Sequence, residues 1–143
     1  MKKLTPNLAV KNIKESVAFY HDNFGFELQM AVSEDQSSIG AEFEDDKEYI
    51  WAMIASGEVT IMLQREDSLK EDIGLDFFES IGSSASFYIE VEDVDALYES
   101  VKSKVEILKE IETMWYGQRE FYVKDINGYI LAFSMVDENA AVS

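Results

Sequence analysis

The side chains able to do chemistry are unevenly supplied. There is one histidine, His21, and no cysteine. Thiolate nucleophiles, thiolate metal ligands and disulfides are therefore excluded, and the commonest general base is present once. His21 falls late in a helical stretch and off its apolar stripe, so it reads as a solvated residue, not a ligand or base. Aromatic and thioether groups are better represented. Trp51 stands two residues from Met53, and Trp115 leads into Tyr116 and Gly117. Large aromatics beside polar groups make a stacking surface for a flat or cationic ligand, worth roughly 0.5–2 kcal/mol per good cation–π contact. The competing role for both tryptophans is packing in a core or a dimer interface.

Acidic residues number 29 against 12 basic ones, a formal charge of −17. Phosphate backbones would be repelled, so nucleic acid is an unsuitable partner, whereas a cationic ligand would be drawn in. The same charge also serves solubility. Glu90 and Glu120 are candidate acids near a binding surface. Abundant carboxylates leave room for a weak surface Mg²⁺ or Ca²⁺ site and for nothing more specific. No stretch approaches the roughly 20 apolar residues of a membrane span. The opening Met1-Lys2-Lys3-Leu4-Thr5-Pro6 lacks the apolar segment of a secretory signal, and with no cysteine a cytoplasmic location is expected.

These groups must be positioned by short strands and two helices. With 143 residues, 47% of them hydrophobic, the chain suits one compact domain able to bury a core. Leu4 to Val10 reads as a strand. Asn12 and Glu15 form a capping box ahead of Ile13, Val17, Tyr20 and Phe24, one face of a helix that Gly25 stops. Phe26 to Val32, Tyr49 to Ile54 and Glu58 to Gln64 read as strands, the last two joined at Ser56-Gly57. The second half repeats the plan. Ser86 to Val91 is a strand, and Asp93 caps a helix striped by Val94, Leu97, Tyr98 and Val101. Val105 to Leu108, Glu120 to Val123 and Tyr129 to Met135 follow, with an Asp125-Ile126-Asn127-Gly128 hairpin turn. Val10-Lys11-Asn12-Ile13 and Val91-Glu92-Asp93-Val94 occupy matching junctions, the mark of a duplication. Module one thus covers about 4–64 and module two about 84–136. A charged connector runs over about 65–83, with a helical turn expected at Asp76-Phe77-Phe78-Glu79.

The motifs Thr5-Pro6-Asn7-Leu8, Ser16-Val17-Ala18-Phe19-Tyr20, Phe24-Gly25-Phe26, Trp115-Tyr116-Gly117 and Phe121 through Tyr129 resemble the vicinal oxygen chelate superfamily. That family includes glyoxalase I, extradiol dioxygenases and bleomycin resistance proteins, and the resemblance runs from about Leu4 to Met135. It implies an α+β fold of two paired βαβββ modules forming a curved mixed sheet with a concave cavity. The family's enzymes bind a divalent metal through His, Glu or Gln on four strands. Carried over, those positions are Thr5, Met62, Ser86 and Ala132, none a usual transition-metal ligand. Neither a metal nor another cofactor is expected.

If the family's ligand positions point inward, as the resemblance implies, alternation along the strands turns Asn7, Thr60, Met62, Gln64, Ser84, Ser86, Tyr88, Ile130, Ala132 and Ser134 to that inner face. It turns Leu8, Ile61, Leu63, Phe87, Ile89, Leu131 and Phe133 to a drier one against the helices. In the bleomycin resistance proteins a tryptophan in a similar Trp-Gly context contacts the drug, and Trp115 is the residue that resemblance selects. The expected binding residues are Trp115, Tyr116, Trp51, Met53, Met62, Gln64, Tyr88 and Asn7, with no catalytic residue. The resulting expectation is a metal-independent homodimer that sequesters a small cationic or aromatic molecule. An enzyme of the same superfamily, lyase or dioxygenase-like with a relocated or absent metal, is the alternative. An interaction module that buries both tryptophans is a third.

Overall fold

The computed structural model describes residues 2–74 and 85–140. The chain divides into two compact units, Met1–Phe77 and Phe78–Ser143.

In the first unit, Asn12 sits in an extended conformation, and its side-chain oxygen accepts the Glu15 backbone N–H at 2.9 Å. That satisfies one donor at the start of helix α1 (Ile13–Phe24), whose Ile13, Val17 and Tyr20 are buried. Gly25 ends it at φ 71°, its N–H donating to the His21 carbonyl at 3.1 Å. Four main strands flank the helix: β1 (Asn7–Val10), β2 (Glu27–Ser33), β4 (Tyr49–Ser56) and β5 (Val59–Arg65). A two-residue strand, β3 (Ile39–Gly40), lies at the edge, and the order is β1-β5-β4-β2-β3. β1 runs parallel to β5, with Asn7 opposite Met62, and the other pairs are antiparallel.

The first part of the connector is helical. Glu66–Ile73 forms α2, which is not among the expected elements because its single buried apolar residue, Leu69, gives no periodic stripe. The helical turn expected at Asp76–Glu79, and Ser84, lie outside the described residues.

The second unit repeats the first. Its elements are β6 (Ser86–Glu90), α3 (Val94–Val101), β7 (Glu106–Thr113), β8 (Gln118–Lys124) and β9 (Ile130–Val136), in sheet order β6-β9-β8-β7. Asp93 caps α3 by accepting the Ala96 N–H at 3.0 Å. β6 is parallel to β9, as β1 is to β5, so each unit is a βαβββ module. Asp125 closes the β8–β9 turn by accepting the Asn127 and Tyr129 N–H groups, with Gly128 at φ 94°. β7 outruns its expected end because Lys109 to Thr113 is a charged edge segment with two register shifts.

Candidate ligand-binding site

Each sheet has one face under its helix and one face left to other uses. In the first unit Ala52, Ile54, Ile61 and Leu63 are at most 3% exposed and form the helix side. Pairing across the strands then assigns the opposite face. Met30, Met53 and Met62 are successive cross-strand neighbours, followed by Asn7, and Trp51 is paired with Gln64. Trp51, Met53 and Met62 are half-buried, and Met30 is exposed. The five residues selected in this unit, Asn7, Trp51, Met53, Met62 and Gln64, thus share one face. Thr5 is half-buried just ahead of β1.

Gln64 is already engaged. Its carbonyl oxygen accepts from the Asn7 amide at 3.0 Å, and its NH₂ donates to Ser68 Oγ at 3.0 Å and Asp72 Oδ2 at 2.7 Å. Those bonds fasten α2 to the β1–β5 end of this face. A ligand that used Gln64 would have to compete with Asp72.

In the second unit, α3 packs over Phe121 and Phe133; the Tyr98 and Phe121 rings stand 5.1 Å apart and edge-on. Val123 and Leu131 are fully buried on the same side. The other face presents Tyr88, paired with Ala132, and Glu120, paired with Ser134. Glu120 is 1% exposed. The Tyr88 hydroxyl donates to its Oε2 and the Tyr116 hydroxyl to its Oε1. Burial pushes the Tyr88 phenol above the usual tyrosine range, and the adjoining Glu120 carboxylate adds to this, opposed by a bond with Ser134. For Tyr116 the hydrogen bond to Glu120 is the main upward influence. A phenol that donates to a carboxylate resists losing its proton.

The loop between β7 and β8 sets the aromatic rim. Met114 N–H donates to the Gln118 carbonyl at 2.7 Å, Gly117 N–H to the Met114 carbonyl at 2.9 Å, and Gly117 takes φ 86°. A glycine at that point lets the chain turn tightly enough to present Trp115, which is 73% exposed. The Trp115 and Tyr116 rings meet edge-on at 5.3 Å. Arg119 points the other way and forks onto Asp95 of α3 at 2.8–2.9 Å.

At the positions where the resemblance implies metal ligands, Ala132 is fully buried between Tyr88 and Tyr122, its neighbours on the flanking strands. Ser86 is exposed on β6, and Met62 sits in the methionine row. Two of the four side chains have neither oxygen nor nitrogen, so the set does not fit a catalytic divalent ion. Among the described residues no three His, Asp or Glu side chains converge as a metal site. His21 is exposed, its Nδ1 2.9 Å from the Phe26 carbonyl and 3.6 Å from the Glu27 carboxylate. A separate depression lined by Glu34, Asp35, Asp46, Lys47 and Glu48 is organised by its own charges, with Lys47 3.3 Å from Asp35.

Residues 4–133 match the sequence profile of the Glyoxalase/Bleomycin resistance protein/Dioxygenase superfamily. The chain belongs to this superfamily. It is 28% identical over 136 residues to a bleomycin resistance protein of Geobacillus stearothermophilus, a match covering 93% of this chain and 96% of that one. Among solved structures it resembles TioX from Micromonospora sp. ML1, with a TM-score of 0.66, 20% identity and coverage of 99% and 98%. The bleomycin-binding protein of Streptomyces verticillus, solved with copper(II)-bleomycin, superposes with a TM-score of 0.56 at 23% identity, covering 93% and 96%. These structural likenesses confirm the glyoxalase-type fold.

Met30 and Glu120 lie on these faces and are not among the expected binding residues. Met30 was hidden by the bulge between Leu28 and Met30, which breaks the alternation of β2. Glu120 was noted as an acid without a place. Its alternation with the buried Phe121 and Val123 carries the missing signal, since it turns Glu120 and Tyr122 together to the other side.

Proposed function

We propose that this protein binds a small organic molecule without using a protein-bound metal, in the manner that its bleomycin-resistance relatives suggest. One observation carries the reading: the sheet faces turned away from α1 and α3 hold half-exposed thioether and aromatic groups at and around the positions implied for metal ligands. Methionine side chains adapt their shape to a partner, and aromatic rings stack on flat or cationic groups. Neither needs an ionisable catalyst. Trp115, Tyr116 and Tyr88 form the contact surface in one module, and Trp51, Met53 and Met62, joined by Met30, in the other; Asn7 offers a polar edge, and Gln64 joins it for a ligand that displaces Asp72. The protein acts as a homodimer, and binding removes the free compound stoichiometrically. Kinship with bleomycin resistance proteins makes a bleomycin the natural first ligand.

Tryptophan fluorescence tests this. Protein stripped with a chelator and titrated with metal-free bleomycin should show saturable quenching. Trp115→Ala should weaken binding about tenfold or more, as loss of an aromatic anchor does. Absence of any change in the wild-type signal at millimolar drug would overturn the assignment of this ligand.

A further inference from the structure

We infer that Glu120, acting through Tyr88 and Tyr116, is the anchor for an organic cation bearing N–H donors: a protonated amine, a guanidinium or an amidinium. The inference rests on the reading that this face receives the ligand, and it names the ligand chemistry.

Glu120 is a carboxylate almost removed from solvent. Burying an anion is costly unless a cation or several hydrogen bonds compensate. Among the described residues no lysine or arginine pairs with it. Arg119, next to it in sequence, is committed to Asp95, and Lys109 on the neighbouring strand β7 lies 3.4 Å from Glu112 and over the Tyr122 ring. Two phenols supply its hydrogen bonds instead, one to each oxygen. A carboxylate has room for about four such bonds, so this one is stabilised but not saturated.

Both tyrosines reach the surface, Tyr88 being 53% exposed and Tyr116 38% as whole residues, although the Tyr88 hydroxyl is itself partly desolvated. Each donates its proton inward to Glu120 and keeps acceptor capacity on its oxygen. Ser134 takes up one such position at Tyr88. Donation to an anion polarises a hydroxyl and makes its oxygen a stronger acceptor. The negative charge of the buried carboxylate is thus presented at the surface by two tyrosyl oxygens. A ligand that profits must both carry positive charge and donate hydrogen bonds. A quaternary ammonium has the charge without the donors. Trp115, exposed and edge-on to Tyr116, provides the wall against which the carbon part of such a ligand packs.

The test uses three probes that differ only at the head group: 4-phenylbutylamine, the corresponding trimethylammonium and 4-phenylbutanol. Binding to the full chain is followed by NMR of the tyrosine ring and Trp115 indole signals. The amine should bind wild type about tenfold tighter than the alcohol and several-fold tighter than the trimethylammonium, a difference of one charge-assisted hydrogen-bonded contact. E120Q, nearly isosteric, should reduce the amine-over-alcohol preference to less than about twofold. The double variant Y88F/Y116F should do the same with Glu120 intact. E92Q removes an identical charge from an exposed position and should leave the preference unchanged, which separates a local anchor from the field of the whole chain. No amine preference in wild type, or one that survives E120Q, would overturn the anchor. An intact amine preference in a protein that ignores bleomycin would support the anchor while removing bleomycin as the ligand.

Discussion

Tyr88 and Tyr116 put a measurable chemical signature on one carboxylate. Both phenols are shifted upward, Tyr88 chiefly by burial and Tyr116 chiefly by its hydrogen bond to Glu120. A group whose folded pKa exceeds its unfolded value contributes stability that is complete below the unfolded value, about 10 for tyrosine, and is lost as pH climbs through the folded value. Wild-type protein should therefore lose stability between about pH 10 and 12 more steeply than E120Q does. In a phenolate absorbance titration, the late-ionising members of the seven tyrosines should move to lower pH in E120Q. Superimposable titrations of the two proteins would show that Glu120 does not hold these protons. At this scale the sequence was legible where a residue stood out by type, as Trp115 and Trp51 do. Glu120 is one of 29 acidic residues and was obscured by number; only its place beside Phe121 in an alternating strand distinguishes it.

Helix boundaries were the most readable elements, because capping is a local contract between neighbouring residues. Asn12 and Asp93 each bond the N–H three residues on, as the sequence implies. Either residue replaced by alanine should cost about 1 kcal/mol in urea unfolding. Gly25→Ala should cost about 1 kcal/mol as well: the space around it is open, so the penalty comes from φ 71° alone. α2 was not readable. Its order comes from tertiary bonds between Gln64 and Ser68 and Asp72, and no local pattern announces them. Gln64→Ala should destabilise the first unit by about 2 kcal/mol and speed amide exchange across residues 66–73, since it leaves three partners without their bonds. Unchanged exchange there would show that α2 is held by Leu69 and its neighbours instead. The edge strand β3 and the β2 bulge were missed for a similar reason: two residues and one extra residue are too short to set up a period.

Across the whole molecule, duplication was the decisive signal. Two half-length patterns with matching strand-to-helix junctions became two modules of one topology. The charge of −17 acts at this scale too, and its two consequences have opposite signs. Raising salt from about 20 to 200 mM shortens the Debye length below about 10 Å, which relieves self-repulsion and should raise the melting temperature by a few degrees. The same screening should weaken capture of a cationic probe while leaving a neutral one unaffected. Dependence of both probes on salt to the same degree would argue that charge plays no part in recognition.

Capture without chemistry or a resident metal is open to calorimetry followed by recovery of the drug. Chelator-treated protein is titrated with metal-free bleomycin, and the drug is then released and weighed by mass spectrometry. Binding should saturate near one drug per chain, and the drug should return at its original mass. Added Zn²⁺ or Mn²⁺, supplied to the protein alone, should not improve the affinity. Binding that appears only with such a metal, or a drug returned with altered mass, would contradict capture of this kind.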